Sequence, residues 1–296
     1  MPYLLIENVT ITNSTLRGST NTINGIGGSI AVMSVMNVAI INSTITESHI
    51  SSIAQSLGLD IGLSSVQTFL VFNSTFESDF QDENVGQLLG GSMYLEPRNQ
   101  SHCLISGGKF NQTIDEQNSV IGGGIFVLDI LKGEKLEMEI NSTEFNGCGA
   151  QMGGAIAIVS DNGCTAEEQC ICSEDNSNLN LSILNTLFDN VTSDVEGASI
   201  FISPSSQLQR SATCSPATKI GSILINDTML TKTVTNGSAI YLEGVNALIY
   251  NVDAFNNSPE KGVFGLYNTN TSFIGNTSVV ESQGGNISGI YISGGY

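Results

Sequence analysis

The chain has 296 residues, enough for a sizeable core, and carries a formal net charge of −19 with only 9 Lys plus Arg. A field of that sign repels phosphate backbones and anionic bilayers, so neither nucleic acid nor an anionic membrane is expected as a partner; no apolar run reaches the roughly 18 residues of a membrane span, so no insertion within this chain is expected. Glycine is frequent at 32, proline scarce at 5 and tryptophan absent, and the abundance of Val, Ile, Thr, Ser and Asn favours strands and turns.

Taken in chain order, the first element is an apolar pair, Val9 and Ile11, followed by Asn13 and an apolar anchor, Leu16. Gly27-Gly28-Ser29-Ile30 then opens a strand whose period-two alternation, Ile30 and Val32, predicts one buried face. Val38, Ile40 and Ile45 repeat the first spacing around Asn42, and Gly58-Leu59-Asp60-Ile61 reads as a decayed copy of the glycine signal. Phe69, Val71 and Phe76 follow around Asn73, then Gly90-Gly91-Ser92-Met93. Cys103, Ile105 and Phe110 lead to Gly123-Gly124-Ile125, and Met138, Ile140 and Phe145 to Gly153-Gly154-Ala155-Ile156. Leu181, Ile183 and Phe188 precede Gly197-Ala198-Ser199-Ile200; Ile223, Ile225 and Leu230 precede Gly237-Ser238-Ala239-Ile240. Leu248, Tyr250 and Phe255 precede Gly262-Val263-Phe264, and Phe273 fits the frame in part.

About nine units thus share one frame, spaced about 30 residues apart and without a helical stripe. A unit this short cannot bury its apolar face alone, but stacked copies can. The pattern predicts an all-β fold: a right-handed, single-stranded parallel β-helix of about nine coils, spanning 1–296 as one domain. Two units swell to about 40 residues, predicting Cys-containing loop insertions at about 160–178 and 203–219. The chain starts inside a unit and ends on Gly289-Ile290-Tyr291-Ile292, with no polar cap at either end. Such edges predict either a fragment of a longer chain or units that stack end to end into a filament. Met1 to Ile6 lacks a signal-peptide pattern, which fits a mature piece of a longer secreted protein.

Ile140-Asn141-Ser142-Thr143-Glu144-Phe145 followed by Gly153-Gly154-Ala155-Ile156 resembles the repeat of polymorphic outer membrane proteins, and Phe273-Ile274-Gly275-Asn276 matches its Phe-x-x-Asn motif. The resemblance covers most of the chain, with the motif shifted in units such as Phe188-Asp189-Asn190 and no autotransporter barrel in evidence. It implies right-handed β-helices, surface display and adhesion rather than a defined reaction. An extracellular or cell-surface location is expected.

Asparagine precedes nearly every anchor. As a turn residue it tolerates the left-handed conformation, and stacked turns can align amides into a ladder. Asn13, Asn42, Asn73, Asn141 and Asn226 are also Asn-x-Ser/Thr sequons, so each is either a ladder turn or a glycan acceptor. Asn99, Asn111, Asn190, Asn236, Asn276 and Asn286 lie in expected loops or on outward edges and are the better glycan sites.

Cys164, Cys170, Cys172 and Cys214 fall in the two insertions and are disulfide candidates, with three pairings open. Cys103 is expected as a small buried apolar residue and Cys148 as a free thiol. No metal site is read, since the cysteine spacing is irregular and no His is near. No cofactor and no catalytic residue are assigned: acids such as Asp79, Asp82, Asp129, Asp189 and Asp194 are scattered, and His49 and His102 read as isolated. The leading expectation is a glycosylated structural rod, a fibre subunit or adhesin stalk, whose partners are further copies or segments stacked end to end and N-linked glycans. The alternative is a carbohydrate-active β-helix enzyme or a glycan-binding module.

Overall fold

The computed structural model describes residues 3–17, 24–51, 55–80, 87–114, 120–128, 135–159, 179–203, 220–269, 272–283 and 289–293. Among them the chain is all-β, with no helix, and its strands pair in parallel. Among the described residues the strands form a 24-stranded sheet and an 8-stranded sheet. Both predicted insertions, with Cys164, Cys170, Cys172 and Cys214, lie outside the described residues.

A complete repeat among the described residues contributes four kinds of strand. An aliphatic strand such as Lys135–Asn141 turns into an anchor strand such as Glu144–Asn146. A short strand such as Gly149–Met152 follows, then a glycine strand such as Ile156–Val159. The short strands form the 8-stranded sheet. The other three kinds merge into the large sheet because strands such as Ile61–Phe72 and Met93–Ser106 run from one kind into the next.

Local sequence sets the faces. Along Lys135–Asn141, Leu136, Met138 and Ile140 are buried while the residues between them are exposed or half-buried, as the pleat requires. Parallel register then places like on like. Ile6, Ile40, Val71, Ile105, Ile140, Ile183, Ile225, Ile249 and Ile274 lie level in successive repeats. A second column runs Ile11, Ile45, Phe76, Phe110, Phe145, Phe188, Leu230, Ala254 and Val279. Its rings stack at 5.0 Å for Phe76 on Phe110, 4.9 Å for Phe110 on Phe145 and 5.1 Å for Phe145 on Phe188. That spacing matches the inter-strand distance, and each ring pair contributes about 0.5–1.5 kcal/mol beyond its burial.

The frame differs from expectation at its two ends. Leu16 does not occupy the anchor column: Ile11 pairs with Ile45, and Leu16 with Ile50. Near the other end Ala254 takes the anchor level, so Phe255 turns outward and is 37% exposed. Phe273 likewise faces outward and Ile274 inward. A shift of one residue in a strand moves a side chain to the opposite face.

Glycine marks the corner before six of the glycine strands. Gly27, Gly58, Gly90, Gly122, Gly153 and Gly197 all have φ between 64° and 75°. At Gly153 a Cβ would also stand 2.6 Å from Ile156 O, so both conformation and space demand glycine. Gly58 belongs fully to this series, and Ile61 pairs in frame with Ile30 and Met93; the segment is no decayed copy.

The glycine strands depart from the expected one-sided burial. Ile156–Val159 and Ile200–Ser203 are buried at every position. Ile156 and Ile158 join the main core, whereas Ala157 and Val159 join a second apolar cluster with Tyr94, Phe126, Phe201 and Tyr241. Alternate residues point to opposite faces, so this cluster lies across the sheet from the main core.

Candidate functional site

The turn between aliphatic and anchor strands is the most regular polar feature. Asn8, Asn42, Asn73, Ser142, Asn185, Asp227, Asn251 and Asn276 adopt φ between 45° and 54° there, and Gly107 has φ 66°. The next residue turns inward when it bears a hydroxyl. Ser43, Ser74, Thr143, Thr186, Thr228 and Thr277 each donate to the carbonyl two residues back, at 2.8–3.1 Å. A left-handed Asn followed by Ser or Thr is therefore what this turn selects, and it also spells much of a sequon.

The amides connect successive turns. Asn185 Nδ2 donates to Asn141 Oδ1 at 3.2 Å, Asn251 Nδ2 to Asn226 Oδ1 at 3.0 Å, and Asn276 Nδ2 to Asn251 Oδ1. Asn141 and Asn226 stand one residue before the left-handed position, and their own amide nitrogens donate to Glu139 and Asp227. Asn42 and Asn73 are exposed at the left-handed position. Asn13 and Asn190 occupy a second left-handed turn, after the anchor strand, and are exposed. Asn236 donates to Asp194 O at 2.8 Å. Asn111 is half-buried in the strand Lys109–Ile114. Asn99 lies in Met93–Ser106 with its side chain outside the described residues, as is all of Asn286.

Beside the ladder lies an open recess. Asp227, Asn251, Asp253, Asn276 and Ser278 line it, with Met229 at its edge. The recess offers carboxylates and amides, the groups that hold sugar hydroxyls. On the outward face of the aliphatic strands His102 Nδ1 stands 3.0 Å from Glu137 Oε2, and Lys135 holds the other oxygen. Lys135, then His102, draws the Glu137 carboxyl below its usual range. His102 is thus not isolated, because parallel register sets it level with Glu137. Cys103 and Cys148 are buried free thiols, each pushed up to about 12 by desolvation, which leaves them unreactive. Among the described residues no three His, Cys, Asp or Glu side chains gather as a metal site.

Sequence reasoning missed two buried acids. Asp60 is fully buried, and the frame itself was the signal, since Asp60 precedes Ile61 as Ser29 precedes Ile30. Glu196 is buried with Lys261 on Oε1 and the Ser238 amide at 2.9 Å on Oε2. Only three-dimensional stacking joins Glu196 to Lys261, 65 residues on. Comparison with protein-family models, curated proteins and solved structures returned no match.

Proposed function

We propose that the chain winds as a right-handed, single-stranded parallel β-helix of about nine coils and serves outside the cell as a glycosylated structural rod, a fibre subunit or adhesin stalk. The observation that supports this best is the unbroken column of level aliphatic residues from Ile6 to Ile274, a rigid stack. The resemblance to polymorphic outer membrane protein repeats supports surface display. Exposed sequons at Asn42, Asn73 and Asn190 support glycosylation; Cys164, Cys170, Cys172 and Cys214, outside the described residues, are the disulfide candidates of this reading.

The test is secretion of the chain from a eukaryotic host, with intact mass taken before and after glycosidase treatment and electron microscopy of concentrated protein. A mass drop of several glycans and end-to-end fibres are expected. An unchanged mass removes the glycoprotein reading. Dispersed single particles at every concentration remove the fibre. A second reading, a glycan-binding or glycan-cleaving surface, draws on the recess at Asp227 and Asp253; retention of oligosaccharides that is lost in Asp253→Ala would favour it.

A further inference from the structure

We propose that Asp60 and the serines around it form a proton-operated latch inside the stack, closed when Asp60 is neutral and loosened when it ionises. The group is completely buried, and Ser78 Oγ donates to its Oδ2 at 2.6 Å. Ser48 and Ser92 also turn their hydroxyls toward it. These serines bond onward, Ser48 with Ser29 at 2.8 Å and Ser78 with Ser92 at 3.1 Å. The result is a buried polar seam beside the apolar core, bridging anchor strands Thr44–Ser51 and Thr75–Phe80 and the segments that open the glycine strands. One level on from Ser78, Gln112 continues the seam, with both amide atoms buried and unpartnered.

Hydroxyls alone are poor company for a sealed carboxylate. Oδ1 has no hydrogen-bond partner, and no cation faces Asp60 among the described residues. Among the described side chains, the titratable neighbours on the packed strands are Glu47 and His49 beside Ser48, and Glu77 beside Ser78; the side chain of Asp79, on the other side of Ser78, lies outside the described residues. Of these, Glu77 acts on Asp60 by charge, and it too disfavours ionisation. Desolvation is the largest effect, and it pushes the Asp60 carboxyl from 3.8 up to about 7 against the pull of the three serines. The sign follows. An acid whose pKa is raised by folding binds its proton more tightly in the closed state, so closure is favoured at low pH. That advantage is lost as pH climbs from about 4 towards 7 and is gone above it. In an array of stacked repeats the loss is felt locally, at the units that hold Asp60.

Amide hydrogen exchange of 55–80 and 87–95, read by mass spectrometry between pH 5 and 8, tests this. Intrinsic exchange rises about tenfold per pH unit, and opening that frees Asp60 adds about another tenfold below neutrality. The expected log-rate slope is therefore about 2 below pH 7, bending to about 1 above it, with a slope of about 1 throughout in Asp60→Asn. A wild-type slope of 1 across the whole range overturns the latch. Ser78→Ala keeps the acid and removes a bond to its charged form, so the bend is expected to move to higher pH. A bend that stays in place or moves down also overturns it.

Discussion

At the scale of single residues, Asn251 combines the two demands of the ladder turn. Its backbone has φ 47°, and its amide bonds Asn226 on one side and accepts from Asn276 on the other. Asn251→Gly keeps the conformation and loses the amide; Asn251→Ala loses both. Urea unfolding is expected to show a loss of about 1 kcal/mol for Gly and about 2 kcal/mol for Ala. Equal losses would mean that the left-handed backbone carries no cost here. The same residues explain why the sequons were ambiguous in sequence. Thr143 and Thr228 complete a sequon while donating inward to Asn141 and Asn226 carbonyls, so the letters serve the turn whether or not a glycan is attached.

At the scale of elements, the corner after Thr192–Glu196 is held by an acid that crosses a neighbouring repeat. A Cβ on Gly237 would stand 2.1 Å from the Glu196 carboxylate, so glycine leaves the passage through which Glu196 reaches Lys261. Lys261→Met leaves a buried carboxylate with the Ser238 amide as its remaining bond. Because Lys261 is half exposed, the expected loss in thermal or urea unfolding is about 1–2 kcal/mol rather than the larger cost of a fully buried pair. Glu196→Gln in the same chain should recover part of it. No recovery would place the effect in the lysine's aliphatic packing instead.

The elements themselves were legible because period-two burial and ring anchors act within a few residues: Phe76, Phe110, Phe145 and Phe188 stack as their spacing requires. Where anchors shrink, at Ala254, the larger neighbour Phe255 misled the frame by one position. The second apolar cluster was hidden for another reason. Phe126, Phe201 and Tyr241 sit where alternation predicts solvent, and nothing local distinguishes a face covered by another layer from a wet one. The frame did mark Asp60, which precedes Ile61 as Ser29 precedes Ile30, but Glu196 with Lys261 and the His102–Glu137 pair depend on which repeats lie level, which only register decides.

At the scale of the whole molecule, 28 acids against 9 bases make the chain repel itself. Raising NaCl from about 20 to 500 mM shortens the screening length several-fold and is expected to raise Tm by about 3 °C or more in calorimetry. A flat Tm would show that the acids are already locally compensated.

The apolar layer behind the glycine strands has a mechanical consequence. Resistance to flexure rises steeply with thickness, and here one flank carries a second packed sheath while the aliphatic flank is backed by water-facing residues such as His102 and Glu137. In the proposed rod, a transverse load is therefore expected to yield more readily in one plane than in the plane at right angles to it.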